Sequence, residues 1–215
     1  MHLKTAILAT LLLACTTARG QWPEFPEFVA DTNRVQDHLL FYGIPIRGTL
    51  KEFSRRLEDK GYRKDKSIRL KDCAFFTGPV EDEAKATLMA MTTQGTDTIW
   101  TVQATFRPQT DWEYLSWQYR KIKDKFTERY GTPVSSEYFM PPYEDGDKLE
   151  ILAVRRGKCR FTSIFTTLEG TVSVEIAGEG PGGAVRLTWQ DERGYRIWYS
   201  ARMDDELKRL FNNRR

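Results

Sequence analysis

The stretch that decides the fold is TDWEYLSWQYRKIKDKFTERYGTP, residues 110–133. Thr110 and Glu113 have the spacing of a capping box, in which the threonine hydroxyl and the glutamate carboxylate each bind a free amide at the helix start. Gly131 and Pro133 are of the types that end helices. The apolar residues recur every three or four positions, at Trp112, Leu115, Tyr119, Ile122 and Phe126. The stretch therefore predicts an amphipathic helix that packs on a core.

The same pattern occurs earlier in the chain. Thr49 and Glu52 have capping-box spacing, and Gly61 lies where a helix would end. The apolar positions between them are Leu50, Phe53 and Leu57. Both helices end in a basic, aromatic and glycine cluster, which is Lys60-Gly61-Tyr62 in the first and Arg129-Tyr130-Gly131 in the second. This repetition predicts two related helix-then-sheet units, residues 41–108 and 109–215.

Between and after the helices, the hydrophobic period changes to two or the apolar runs become short, as in β-strands. These segments are residues 75–76, 87–91, 100–106, 138–140, 149–154, 159–165, 172–176 and 184–189. Residues 191–211 fit a further helix better than a strand. We therefore predict a single α+β domain over residues 41–215, with helices packed on one face of an antiparallel sheet.

The start of the chain has the pattern of a secretion signal. Lys4 precedes an apolar run over residues 5–14, which is shorter than the about 20 residues of a membrane-spanning helix. Ala18-Arg19-Gly20 favours cleavage before Gln21, which makes residues 1–20 a signal peptide and the protein periplasmic or secreted. The alternative is a bacterial lipobox at Leu12-Leu13-Ala14-Cys15, with Cys15 as the lipid anchor of an outer-membrane lipoprotein.

The charge balance argues against a nucleic-acid partner. The chain has 33 basic and 30 acidic side chains, and two of the basic ones, Lys4 and Arg19, lie in the leader. Nucleic-acid binding normally needs a concentrated basic excess. The densest basic segment, residues 55–71, is interleaved with acids, which is typical of a solvated surface, although a site for an acidic glycan or lipid headgroup is the alternative. No stretch after the leader is apolar enough to span a membrane.

Cys73 and Cys159 remain once the leader is removed, and each lies in a predicted strand. Because disulfides persist in exported proteins, we expect these two cysteines to bond, with two buried thiols as the alternative.

Residues 21–40 are expected to form an extended N-terminal arm, because prolines interrupt its start. Trp22, Phe25 and Phe28 in this arm could dock on the domain itself or bind a partner.

The segment Phe41-Tyr42-Gly43-Ile44-Pro45-Ile46-Arg47-Gly48-Thr49 resembles the opening of uncharacterised exported α+β proteins common in Bacteroidetes. Tyr130-Gly131-Thr132-Pro133 and the late pair Asp204-Asp205 are similar to later features of those proteins. The resemblance covers most of the chain after the leader. It implies export and an α+β fold, and it implies no activity, so no catalytic residue follows from it.

No segment has the pattern of a catalytic, cofactor or metal site. His38 is the only histidine after the leader and has no nucleophile motif beside it, so a structural role is favoured. Asp145-Gly146-Asp147 lacks the other ligands of a calcium loop. The glycine-rich residues 178–183 precede a strand, whereas a phosphate-binding loop precedes a helix. Glu81-Asp82-Glu83 predicts a solvated hairpin, or else carboxylates that pair with Asp204 or Asp205.

These patterns favour a non-catalytic cell-envelope or secreted binding protein, whose partner is an unknown protein or a surface polymer. Two alternatives remain open. One is a carboxylate-based hydrolase of polysaccharide or peptidoglycan, which needs two acids facing each other across a cleft. The other is an envelope inhibitor or assembly factor, which rests on the doubled helix-then-sheet pattern.

Overall fold

A computed structural model describes residues 38–68, 70–93 and 96–212 of the chain. The predicted signal peptide, the candidate anchor Cys15 and the candidate partner-binding residues Trp22, Phe25 and Phe28 lie outside these residues. The described end of the predicted arm, from His38 to Leu40, belongs to the folded domain, because Leu39 is buried and Leu40 begins the first strand.

The chain forms a short hairpin and then twice forms a helix followed by strands. The hairpin consists of β1 (Leu40–Phe41) and β2 (Ile44–Pro45). The first unit comprises α1 (Leu50–Asp59), β3 (Arg63–Lys64), β4 (Cys73–Val80), β5 (Glu83–Thr92) and β6 (Ile99–Thr105). The second comprises α2 (Trp112–Tyr130), β7 (Val134–Phe139), α3 (Glu150–Arg155), β8 (Cys159–Thr166), β9 (Gly170–Glu179) and β10 (Gly182–Asp191), and α4 (Glu192–Asn212) follows it.

Eight strands form one antiparallel sheet in the order β3-β4-β5-β6-β10-β9-β8-β7. Each unit contributes four neighbouring strands, and the two sets join where β6 pairs with β10. At this junction Val102 lies opposite Trp189, and Ala104 lies opposite Leu187. The predicted α+β class with an antiparallel sheet is confirmed. The chain does repeat a helix followed by four strands, with α3 inserted between the first two strands of the second repeat.

The two long helices of the units begin at side-chain caps. Thr49 forms the predicted capping box, since its hydroxyl accepts from the Glu52 amide and its own amide donates to the Glu52 carboxylate. At α2 the cap is Asp111, whose carboxylate accepts from the Tyr114 amide at 2.7 Å. The prediction that Thr110 caps this helix was therefore wrong by one residue.

The core lies between helices α1, α2 and α3 and one face of the sheet. The residues that α2 buries include Leu115, Tyr119, Ile122 and Phe126, as its spacing predicted, and α1 adds Phe53 and Leu57 to the same cluster. A side-chain carbon on Gly183 of β10 would lie 2.7 Å from both Leu115 of α2 and Val154 of α3. Helices α2 and α3 therefore pack on the same face, and their close approach requires glycine there. None of the described helices is long and apolar enough to cross a membrane.

The segment predicted as a strand over residues 149–154 instead forms helix α3, Glu150–Arg155. Glu150, Ala153 and Val154 are its buried residues, and their spacing is that of one helical face. A short apolar run fits both periods, so contacts with the sheet decide its conformation.

The predicted disulfide is not formed, and both Cys73 and Cys159 are free thiols. Cys73 begins β4 and Cys159 begins β8, five strand positions away in the sheet. Five spacings of about 4.8 Å separate the strands by about 24 Å. A disulfide requires α-carbons within about 7 Å of each other, so the prediction was wrong for a bond within one chain.

We predict that both thiols stay reduced and react slowly in the folded protein. Burial raises the pKa of Cys159 to about 11, and burial together with the charge of Asp72 raises that of Cys73. Since the thiolate is the reacting form, Ellman's reagent at pH 7.5 should label protein lacking residues 1–20 slowly when folded and at two sites when unfolded. In the Cys73→Ser variant only Cys159 remains, and it should react more slowly than Cys73 because it is the more buried thiol. A non-reduced mass two protons lower, with a peptide joining the two cysteines, would contradict this.

Candidate functional site

A cavity of about 880 Å³ opens where the β1–β2 hairpin meets the second unit. Its walls are the hairpin, the C-terminal end of α2 and the turn between β8 and β9, and Trp189 of β10 lies at its base. We call this cavity the hairpin cleft. The lining residues are His38, Leu39, Leu40, Tyr42, Gly43, Pro45, Arg47, Arg129, Tyr130, Thr166, Thr167, Glu169 and Trp189.

The hairpin is a tight turn anchored by aromatic packing. Tyr42 and Gly43 both have positive φ, 45° and 81°, which is typical of the two-residue turn that matches strand twist. Phe41 is fully buried and packs edge-on against Trp189 with ring centres 5.0 Å apart. Tyr42 packs against the same indole, with ring centres 5.7 Å apart. The hairpin is therefore fixed to the sheet as one wall of the cleft.

Arg129, near the C-terminal end of α2, presents a fixed cation to the cleft. Its guanidinium carbon lies 5.3 Å from the ring centre of Phe126 and 5.8 Å from the ring centres of Tyr42 and Tyr130. Its Nη1 donates to the Glu81 carboxylate at 2.9 Å. Burial alone would lower the pKa of Arg129, but the Glu81 carboxylate outweighs burial and raises it. The arginine is thus charged and held in place before any ligand arrives.

Glu81 lies beneath this contact and is itself almost fully buried, with 6% of its side chain exposed. The Tyr42 hydroxyl donates to it at 2.6 Å. Burial, reinforced by the neighbouring carboxylate, raises the pKa of Tyr42, so the phenol keeps its proton as a donor. Glu81 therefore links the β4–β5 turn of the first unit to two walls of the cleft, the hairpin and the end of α2.

Asp82 completes the contact between the β4–β5 turn and α2. Lys121 and Lys125 each approach its carboxylate to 2.8 Å, and their hydrogen bonds lower its pKa. The sequence predicted that residues 81–83 form a solvated hairpin. The predicted turn is present, but Glu81 and Asp82 form salt bridges with basic residues of α2. The side chains of Asp204 and Asp205 lie outside the described part of the chain.

Asp191 fixes the base of the cleft. It is fully buried, and its carboxylate accepts from the Leu39 amide at 2.9 Å and from the Gly194 amide at 3.0 Å. The Nδ1 atom of His38 lies 3.1 Å from the same carboxylate. One aspartate therefore joins the start of the hairpin to the start of α4.

The rim of the cleft carries few charges. Arg47 is exposed, and its charge lies close enough to Arg56 to lower the pKa of that residue, after burial as the larger cause. On the opposite wall, the Thr167 hydroxyl donates to the Gly170 carbonyl and accepts from the Glu169 amide. Glu169 is the acid at the rim.

A second cavity, of about 920 Å³, lies beside the start of α2, and we call it the acidic cleft. Its carboxylates are Glu113, Glu137, Glu144, Asp145 and Glu150, with Arg120 as its basic residue. Glu137 accepts from Tyr119 at 3.0 Å and from Lys123 at 2.6 Å. Burial would raise the pKa of Glu137, but these hydrogen bonds hold it below its usual range. Among the described residues, no group of three His, Cys, Asp or Glu could hold a metal ion.

Residues 41–49 and residues 130–133 meet at the hairpin cleft, since Tyr42, Pro45 and Arg47 come from the first segment and Tyr130 from the second. The sequence patterns favoured a structural role for His38. They identified Arg129 only as part of a helix end, and they did not identify Asp191 as a site residue. The spacing of Asp191 and Gly194 at the start of a predicted helix is a capping signal that could have identified Asp191. No family model, curated protein or solved structure matches the chain.

We predict that Asp191→Ala lowers the free energy of unfolding by about 2–4 kcal/mol, because it leaves buried amide donors without an acceptor. Urea unfolding followed by tryptophan fluorescence would measure this. Asp191→Asn keeps the shape and one acceptor oxygen, so its loss should be smaller. Asp59→Ala, at an exposed position at the end of α1, is the control and should change stability by less than about 0.5 kcal/mol. Equal losses for Asp191→Ala and Asp59→Ala would contradict the role of Asp191.

Proposed function

We propose that the protein is an exported, non-catalytic binding protein of the cell envelope or the secreted fraction, and that the hairpin cleft is its binding site. The leader-like residues 1–20 support export to the periplasm or the medium, with an outer-membrane lipoprotein anchored at Cys15 as the alternative. An envelope inhibitor or assembly factor is one form that such a binding protein takes.

The observation that carries the proposal is the fixed guanidinium of Arg129 at the wall of an open cavity. Three aromatic rings and Glu81 hold it, so binding an anionic group would cost little side-chain entropy. Arginine and tyrosine are also the residue types that contribute most strongly to binding interfaces.

The polar groups of the cleft favour binding over catalysis. The Thr167 hydroxyl is already hydrogen-bonded within its own turn. The described lining contains neither serine nor cysteine as a nucleophile for the His38–Asp191 pair. This pair also has a structural task, because it anchors the hairpin.

Site-specific photo-cross-linking in the producing cells tests the proposal. A photoreactive residue at Thr166, an exposed position on the rim, should capture a partner, whereas one at Thr87, an exposed threonine on β5, should not. Arg47→Gln should reduce the adduct at Thr166 several-fold, because it removes a rim cation. Arg107→Gln, which removes an equal charge at an exposed position outside the cleft, should leave the adduct unchanged. Equal capture at both positions would refute the proposal.

A carboxylate-based hydrolase of polysaccharide or peptidoglycan is the second candidate, and the acidic cleft is the observation that favours it. Aromatic rings line this cleft beside its five acids, an arrangement that suits a sugar chain. Glu137, whose pKa is lowered, would serve there as the ionised base or nucleophile rather than as the acid.

Incubation of the purified protein with peptidoglycan and with envelope polysaccharide separates the two candidates. The binding proposal predicts that neither polymer releases soluble fragments or new reducing ends. Release that Glu137→Gln abolishes, and that the matched change Glu128→Gln on the exposed side of α2 does not, would establish the hydrolase instead.

A further inference from the structure

The charges around the hairpin cleft are matched to a ligand with one negative charge. Its walls bring together two arginines, Arg47 and Arg129, and one glutamate, Glu169. Part of the charge of Arg129 is already balanced by Glu81. The cleft therefore offers at most about one unpaired positive charge, which suits a carboxylate better than a doubly charged phosphate.

We propose that the cleft binds a carboxylated sugar unit of an acidic polysaccharide, an inference that rests on the binding function proposed above. Arginine recognises carboxylates through pairs of N–H groups in one plane. A guanidinium has five such groups, and Nη1 of Arg129 serves Glu81, so others remain for a ligand. Arg47, exposed on the hairpin side, supplies a second contact.

The uncharged part of the cleft fits a sugar ring. Tyr42 and Tyr130 are half-buried at the wall, and Leu40 is 51% exposed at the rim, which together give an apolar surface for the C–H face of a ring. The end of β8 supplies the Thr166 hydroxyl, and the β8–β9 turn supplies the Glu169 carboxylate, for sugar hydroxyls. Nδ1 of His38 faces Asp191, which leaves Nε2 as its remaining polar atom.

The charges on the two walls argue against an acidic peptide as the ligand. The arginines come from the hairpin and α2, whereas Glu169 comes from the β8–β9 turn. A peptide with several acidic side chains would place one of them near Glu169, where repulsion weakens binding. A sugar with a single carboxylate places hydroxyl groups there, and hydroxyls donate to a carboxylate.

Isothermal titration calorimetry tests the inference with four probes. These are a xylo-oligosaccharide that bears one glucuronate, its methyl ester, a phosphorylated oligosaccharide of the same length, and a tetraglutamate peptide. We expect the glucuronate probe to bind most tightly and its neutral methyl ester to bind about tenfold or more weakly, because a charge-assisted hydrogen-bond pair is lost.

Variants identify the residues responsible. Arg47→Gln should weaken binding of the glucuronate probe about tenfold, while Arg107→Gln should change it less than twofold. Glu169→Gln should narrow the preference for glucuronate over the phosphorylated probe, because a repulsive charge is removed. Circular dichroism and thermal unfolding of each variant confirm that it is folded.

Each contrary outcome has one meaning. Equal affinity for the acid and its ester, or tighter binding of the phosphorylated probe or of tetraglutamate, would overturn the carboxylated-sugar inference. If none of the probes binds but photo-cross-linking at Thr166 remains specific and sensitive to Arg47, the sugar inference fails and the binding function stands. If the cross-linking is also unspecific, both fail.

Discussion

The buried carboxylate of Asp191 is the interaction on which the cleft depends. It accepts from the backbone of Leu39 and of Gly194 and also contacts the ring of His38, so two distant parts of the chain converge on one side chain. A buried carboxylate is favourable only when such donors replace water. Here those donors belong to the start of the hairpin and the start of α4. Because the Asp191 carboxylate needs these hydrogen bonds, both elements lie against the end of β10.

Glu81 imposes the second constraint, because it joins the two units away from the sheet. It lies in the turn of the first unit, yet its partners are Arg129 at the end of α2 and Tyr42 in the hairpin. Removing either partner would leave a buried charge with fewer donors, which is costly in a low-dielectric environment. The wall of the hairpin cleft is consequently held by structural requirements, and the guanidinium is positioned without help from a ligand.

The sequence revealed the parts that depend on local periodicity. The buried positions of α2, the capping box at Thr49, the alternating strands around residues 87–91 and 100–106, and the C-terminal helix were all predictable from neighbouring residues. The order of the strands was not, because the pairing of β6 with β10 joins segments that are distant in sequence. The cysteine prediction failed for the same reason, since strand patterns do not tell which strands are adjacent. The His38–Asp191 contact spans 153 residues, so no local pattern could reveal it.

The two units end their helices with similar residues, but only the second end forms the cleft. In the first unit Tyr62 is buried, its hydroxyl donates to the Pro79 carbonyl, and its ring lies so close to Gly78 that a side-chain carbon there would come within 2.2 Å. In the second unit Tyr130 remains half-buried beside the cavity, and its hydroxyl lies 3.4 Å from Nε1 of Trp189. Close packing of Tyr62 against Gly78 of β4 thus leaves no cavity at the end of α1. At the end of α2, the hairpin and the β8–β9 turn enclose an open space instead. A repeated structural unit has acquired a cavity at one of its two equivalent positions because a segment outside the repeat, the hairpin, supplies the missing wall.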